Sequence, residues 1–441
     1  MLQDTIFALS TVVGKSGVAV VRISGEYALK VVKDLGVKHK LLPNEFKLAK
    51  LYHPFSFEIL DQAITLFFQA PHSFTGEDIV ELHLHGSVAV VKDVIAALNS
   101  LNYLRLAEPG EFSKRAFFNG KMDLTQAEGL VQLIEAETTV QRQVAFRQFS
   151  GELENLYENW RKSLISLLAR VEALIDFPED DIPDSVVSEI EAGVHNLMTK
   201  IENHLATAAS GEVIARGIKV AIIGAPNVGK SSLLNLLAKR DVAIVADIAG
   251  TTRDVIEVKI DLKGFPVIIH DTAGLRETTD AVELEGVRRA QRASHESDIN
   301  IYMLDATATN SDDILPHVFD KPHLILINKM DLLSHAKLVS PDNYYRVSVR
   351  EGLGIDSFLQ ALLRLVEETY TPSADPIITQ ERYRKLLSEC LHYIKSFKIS
   401  SQLEVSAEYL RLAASCIGSI TGKIEVDEIL DEIFSSFCIG K

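Results

Sequence analysis

Cysteine is scarce: Cys390, Cys416 and Cys438 stand far apart in 441 residues with no CxxC spacing. That argues against a disulfide framework or a zinc knuckle and fits a reducing compartment. No uninterrupted apolar run approaches the roughly 20 residues of a membrane span, and the start Met1-Leu-Gln-Asp-Thr5 lacks the basic-then-apolar order of a secretory leader. The expectation is a cytoplasmic protein without a membrane partner. Positive charge is also in deficit, with a formal net charge of −16. This disfavours a protein that coats nucleic acid through a broad basic surface, but leaves room for a structured RNA held by a local basic patch. The ending Cys438-Ile-Gly-Lys441 has only the outline of a prenylation box, because Gly440 is not aliphatic and Lys441 is not a usual last residue.

What is present is material for several cores. With 47% of residues hydrophobic and 24% charged, the chain is long enough for two to four globular domains. Residues 1–119 alternate short apolar strands, such as Gly17 to Ile23 and Asp78 to His85, with turn clusters, and are read as an α+β domain. Over 120–213 the period becomes helical, as in Leu153, Leu156, Trp160, Leu164, Leu167, Val171 and Leu174. Ala208-Ala-Ser-Gly211 reads as a small-residue linker. From 214 to 373 strands and helices alternate, the signature of a parallel α/β sheet. Helical periodicity returns over 374–441. The predicted architecture is therefore multidomain, with an α/β domain inserted between two segments of one helical domain.

Gly224-Ala-Pro-Asn-Val-Gly-Lys-Ser231 fits G-x-x-x-x-G-K-[ST] between an apolar strand and a helical pattern, the setting of a phosphate loop. Asn227, Val228, Gly229, Lys230, Ser231 and Ser232 are the expected contacts. Glycine backbone N–H groups turn onto the phosphates, Lys230 adds a point charge, and Ser231 offers a hydroxyl to Mg²⁺. Asp271-Thr272-Ala273-Gly274 follows a strand and supplies a carboxylate that holds Mg²⁺ through water and a glycine N–H for the γ-phosphate. Asp247-Ile248-Ala249-Gly250-Thr251-Thr252 reads as a first switch, with Thr252 as second Mg²⁺ hydroxyl. Asn328-Lys329-Met-Asp331 closes another strand, where Asp331 can accept two hydrogen bonds from guanine that adenine cannot donate. Ser348-Val349-Arg350 is the expected last base contact, through backbone N–H. Leu275 stands where many GTPases carry a water-orienting glutamine, and Arg253 and Arg276 are the nearby cationic candidates. For Asn227 two readings stand: its amide helps hold a monovalent cation beside the phosphates, or it merely caps the loop.

These motifs, with Asp-Ile-Ala-Gly-Thr-Thr-Arg-Asp254 and the terminal Cys-Ile-Gly-Lys441, resemble the tRNA-modification GTPase family MnmE, also called TrmE, along essentially the whole chain. The resemblance implies a homodimer of three-part protomers: a folate-binding and dimerisation domain, a helical domain in two segments, and an inserted Ras-like G domain. It also implies K⁺ held by Asn227 and by groups near Ala246, Ile248 and Thr251, with hydrolysis activated when G domains pair. Family members known for this feature have Thr where this chain has Ala246. Glu283, by itself an exposed residue in a first helical turn, matches the family's catalytic carboxylate, beside Lys230 and Asp271. The implied partners are the flavoprotein MnmG, also called GidA, which would carry the FAD, and a tRNA whose wobble uridine is modified at C5. A 5-formyl- or 5,10-methylene-tetrahydrofolate would supply the methylene.

On Asp78 to His85 the side chains alternate, so Glu81, His83 and His85 share a face. A metal reading lacks an evident third strong ligand there. The resemblance instead gives Glu81 to the pterin ring, with Arg22, Lys121 and Lys441 as further folate contacts and Cys438 near the same pocket. Glu108 to Arg115 reads as a solvated loop. The competing function is a ribosome-assembly or signalling GTPase, which would have no use for a folate domain. A membrane-remodelling GTPase would need an exposed basic or aromatic membrane face that the helices lack.

Overall fold

Apolar alternation in the first segment produces strands, and the three-and-four spacing further on produces helices, in a computed structural model that describes residues 4–176, 184–240, 243–244, 257–271, 292–308, 320–333, 344–371, 375–399, 402–424, 430, 433–435, 437 and 440. The chain forms two compact units, one of residues 1–131 with 418–441 and one of 132–417.

The first unit runs β1 (Thr5–Leu9), β2 (Ser16–Ser24), α1 (Ala28–Asp34), β3 (Phe46–Tyr52), β4 (Ile59–Phe68), β5 (Ile79–Gly86), α2 (Val88–Asn99), β6 (Leu104–Leu106), α3 (Glu111–Phe118) and α4 (Leu124–Glu135), the last crossing into the second unit. Its sheet has the order β3-β4-β5-β2-β1-β6, antiparallel except for the β1–β6 pair. Val21, Ile23, Leu82 and Leu84 share a core with Val31, Val94 and Leu98 of α1 and α2. The strand pleat therefore sends Arg22, Glu81 and His83 to the opposite face.

The stretch Glu108 to Arg115 is not a solvated loop. Gly110, at φ +66, caps α3 in a conformation that favours glycine, and a Cβ there would lie 2.4 Å from the Phe434 carbonyl. Glu111 and Arg115 are only 3% and 1% exposed. Their burial is tolerated because the charges pair: Arg115 meets Asp4 at 2.9 Å, Glu77 at 3.1 Å and Glu111 at 2.9 Å. Sequence period alone could not reveal this, since Asp4 and Glu77 lie on distant segments.

The second unit contains α5 (Thr139–Phe149), α6 (Glu152–Asp176), α7 (Asp184–Leu205), α8 (Ala208–Arg216), β7 (Ile218–Gly224), α9 (Lys230–Ala238), β8 (Glu257–Leu262), β9 (Phe265–Asp271), β10 (Ile299–Asp305), β11 (His323–Asn328), β12 (Tyr344–Arg346), α10 (Ile355–Tyr370), α11 (Glu381–Ser396) and α12 (Leu403–Thr421), the last reaching into the first unit. The sheet order is β12-β11-β10-β7-β9-β8, parallel except for the edge hairpin β8–β9. Its central strands are buried on both faces, which explains their near-continuous apolar runs.

Ala208 to Gly211 is not a linker but the first turn of α8. Its small residues serve a close approach, since a Cβ on Gly211 would lie 2.1 Å from the Ile378 carbonyl. The chain leaving the α/β sheet is thereby pressed against the chain entering it, and α11 packs on α7, with the ion pair Lys395–Glu202, and on α8, with Arg384–Glu212. Among the described residues no helix is long and apolar enough to cross a membrane.

Beneath this junction lies His204, 7% exposed, hydrogen-bonded to the Tyr157 hydroxyl at 2.9 Å and packed edge-on against Trp160. Burial pushes its imidazole from 6.5 down to about 4, with Asp375 pulling weakly the other way. The unfolded chain therefore binds this proton more readily, so stability falls as pH drops from 6.5 towards 4. The full change is worth about 3 kcal/mol. Urea unfolding of His204→Gln is expected to lose much of this pH dependence. A midpoint that tracks the wild type across pH 7 to 4.5 would contradict it.

Candidate nucleotide site

The carboxyl edge of the sheet in the second unit carries the described residues of the phosphate loop together with Asn328, Lys329 and Asp331. β7 ends at Gly224, where a Cβ would lie 2.4 Å from the Met303 carbonyl. The loop then reverses through Asn227, at φ +59, and Gly229, at φ +112, before α9 starts at Lys230. A side chain on Gly229 would lie 2.4 Å from Asn328 Nδ2, so this position needs glycine for both conformation and space. Lys230 is buried and its ammonium donates to the carbonyls of Gly224 and Ala225 at 2.8 and 2.9 Å. Ser231 follows in the first turn of α9, beside the positive helix end.

Asn328 ties the phosphate loop to the segment 348–350. Its Nδ2 donates to the Val228 carbonyl at 2.8 Å, and its Oδ1 accepts from the Val349 N–H at 3.0 Å. Ser348, fully buried, donates its hydroxyl to Asp331 Oδ1 at 2.6 Å and its backbone N–H to the Leu353 carbonyl. The backbone N–H groups of Ser348 and Val349 are thus engaged within the protein. Lys329 adopts φ +66, uncommon for a lysine, and its ammonium meets Asp305 Oδ2 at 2.5 Å. Burial works to raise the Asp305 carboxyl, but Lys329 and Thr307 outweigh it and hold the group below the usual range.

Asn227, Gly229, Ser232, Asn328, Lys329, Asp331, Val349 and Arg350 line one open cleft of ≈ 640 Å³. Sequence reasoning missed Asn235, Leu236, Lys239 and Leu332, which line it too, and Asp305, which anchors Lys329. Asp305 had a signal, an aspartate closing an apolar strand at the ligand edge of the sheet. Asp271 closes β9 at the same edge. The predicted residues Ala246, Asp247, Ile248, Ala249, Gly250, Thr251, Thr252, Thr272, Ala273, Gly274 and Glu283 lie outside the described residues, as do Arg253, Leu275, Arg276, Cys438 and Lys441.

In the first unit, Arg22 Nε and Nη2 both approach Glu81 Oε1 at 3.0 Å, and the guanidinium sits over the rings of Phe74 and Phe112 at 5.3 and 5.6 Å. His83 Nε2 approaches Glu81 Oε2 at 3.2 Å. His85 shares their face but turns to Asp61 of β4 at 2.8 Å. Lys121 donates to the Pro71 carbonyl at 2.8 Å and runs along Gly76. The segment carrying Pro71, Phe74 and Gly76 therefore brings Lys121 and Arg22 to one rim. It is pinned by the Ser24–Thr75 hydroxyl pair and by Asn119 donating to the Thr75 carbonyl.

A strand-loop-helix phosphate cradle, tied through Asn328 to the strand end that carries Asp331, defines a P-loop GTP hydrolase on a mostly parallel sheet. The model for the MnmE helical domain matches residues 124–438, and that for the GTP-binding protein TrmE N-terminus matches 5–121. The tRNA modification GTPase MnmE of Orientia tsutsugamushi is 45% identical over 447 residues and that of Rickettsia akari 44% over 445, each covering 100% of both chains. The chain belongs to the tRNA modification GTPase MnmE family, and it is a GTP hydrolase. Among solved structures, Aquifex aeolicus Era is 26% identical with a TM-score of 0.27, covering 41% of this chain and 67% of its own. The G domain of the T. maritima FeoB iron transporter is 20% identical with a TM-score of 0.24, covering 34% and 98%.

Proposed function

We propose that this protein couples GTP hydrolysis to folate-dependent modification of C5 of the wobble uridine of certain tRNAs, as a cytoplasmic homodimer working with the flavoprotein MnmG. The observation that carries the reading is the presence, in a chain with a guanine-reading cleft, of the Arg22–Glu81 pair against Phe74 and Phe112 in a separate unit. A GTPase acting only as a switch has no use for that arrangement. Glu81 Oε2, approached by His83 alone, keeps acceptor capacity, which suits an N–H donor of a reduced pterin. Lys121 stands on the same rim for the acidic end of the ligand, and Lys441 and Cys438 are assigned there by family resemblance. Bound folate would supply the one-carbon unit.

In the nucleotide cleft, Lys230 and Ser231 fit a phosphate chain with its Mg²⁺, and that ion would supply charge neutralisation. Lys230 and the α9 terminus hold the phosphates in place, and Glu283 is proposed to polarise the attacking water. Asn227 is proposed to help hold K⁺ together with groups at Ala246, Ile248 and Thr251, with hydrolysis activated when G domains pair.

Binding of 5-formyltetrahydrofolate is expected for the intact chain and is expected to weaken at least about tenfold in Glu81→Ala, the loss of a charge-assisted pair. No binding by the intact chain, measured by calorimetry, would return the choice to an assembly GTPase. For the cation, the conformation of Asn227 sharpens the test, because φ +59 is a place where asparagine also serves the backbone alone. Asn227→Gly keeps that conformation and deletes the amide. GTP turnover is expected to be faster in K⁺ than in Na⁺ at equal ionic strength, with the difference lost in Asn227→Gly. A surviving difference would reduce Asn227 to a loop cap.

A further inference from the structure

We infer that the β8–β9 hairpin passes the nucleotide state of the G sheet to the helical segment through the first turn of α5. The inference rests on the assignment of 247–254 and Asp271–Gly274 as nucleotide-sensing segments. β8 begins at Glu257, just past the first of them, and β9 ends at Asp271, the start of the second. The two strands pair continuously from Glu257↔His270 to Leu262↔Phe265, so a displacement at one end is carried to the turn rather than absorbed along the way.

That turn is seated on α5. Lys263 and Gly264 have φ +48 and +98, the tight two-residue reversal of a hairpin, braced by the Gly264 N–H donating to Asp261 Oδ1. The Gly264 carbonyl accepts from the Val140 N–H at 3.0 Å. Val140 lies in the first turn of α5, where N–H groups have no partner within the helix; the hairpin turn acts as part of the helix cap, beside the Thr138 side chain that accepts from Gln141. Lys259, midway along β8, meets both carboxylate oxygens of Glu137 at 2.9 Å. Val144, further along α5, belongs to the core of the G sheet with Phe265 and Val267, and Val140 packs against that core.

A cleft of ≈ 480 Å³ lies beside this joint, lined among others by Glu137, Gln141, Lys259 and Ile268. The hairpin is therefore tied to α5 by the Gly264–Val140 and Lys259–Glu137 bonds and by Val144 in the shared core, with open space along its Lys259 and Ile268 side. Because close-packed side chains transmit a displacement rather than absorb it, a shift of the hairpin reaches the first turn of α5.

Hydrogen exchange on the full chain with Mg²⁺ tests this, using GDP and a non-hydrolysable GTP analogue. The Val140 amide is expected to differ about tenfold in exchange rate between the two states, within the usual range of coupling between sites, while mid-helix amides of α6 such as Leu164 stay unchanged. Equal Val140 rates overturn the inference, as does an equal change throughout α6, which would mean uniform stabilisation. Fluorescent guanosine nucleotide in the same sample separates the failures: absence of binding removes the site assignment and the inference with it. A Lys259→Glu variant is expected to shrink the difference, and adding Glu137→Lys to restore it. A swap that leaves the difference at the single-variant value counts against the coupling.

Discussion

Asp331→Asn is expected to lower GTP binding by on the order of 10⁴-fold relative to xanthosine triphosphate, reversing the base preference. The carboxylate sits at the rim of the cleft and is oriented by the Ser348 hydroxyl at 2.6 Å. Asparagine can keep that bond through its carbonyl oxygen, so the framework stays. What changes is the other atom, now an N–H₂ facing the two donors of guanine, a donor-to-donor mismatch that leaves buried groups unpaired. Xanthine presents an acceptor in place of the 2-amino group and restores one of the bonds. Competition binding with the two triphosphates reads the ratio directly. An unchanged preference for GTP would mean that the base does not meet Asp331, and the assignment of the cleft would fail.

Arg115→Met is expected to destabilise the first unit by about 3–5 kcal/mol, the usual result of removing one partner from a buried charge cluster. The guanidinium is 1% exposed and faces Asp4, Glu77 and Glu111. Its loss leaves Glu111, 4% exposed in its side chain, with Arg105 as the remaining named cation. A second change, Glu111→Gln, is expected to recover part of the loss, since it removes the charge left behind. The cluster also fixes a pH dependence. Burial raises the Glu111 and Asp4 carboxyls, but Arg105 and Arg115 overcome it and hold both below their ordinary values of 4.5 and 3.8. Folded-state values depressed in this way give stability that is present above the ordinary values and lost as pH falls through the folded ones. Urea denaturation followed in the strands of the first unit measures both effects. An Arg115→Met midpoint within 1 kcal/mol of wild type would show that the cluster adds little net stability.

Much of the nucleotide site was legible because its chemistry is local. The phosphate loop needs glycines and a lysine at fixed offsets between a strand and a helix, and Asn328 to Asp331 sits at the end of an apolar strand. Each pattern lies within a dozen residues. The polar face of β5 was half legible: strand alternation put Glu81, His83 and His85 on one side, but could not tell that His85 would turn to Asp61, twenty-four residues away, while His83 stayed with Glu81. Glu108 to Arg115 was misjudged for a related reason. Charged residues among turn residues look solvated until Asp4 and Glu77 are brought to Arg115, and only then does a helix with a buried arginine become affordable.

By itself, then, the sequence determined the class of chemistry, the order of its motifs and the helical or extended character of most segments, because these follow from backbone preference and from spacings of two, three and four residues. Only the tertiary structure decided which charges are buried together, that Asn328 joins Val349 to the phosphate loop, and that α5, helical by its period, packs its valines into the core of the G sheet. Those outcomes depend on contacts between residues tens to hundreds of positions apart, and the free energy of burial that selects them is a property of the assembled core.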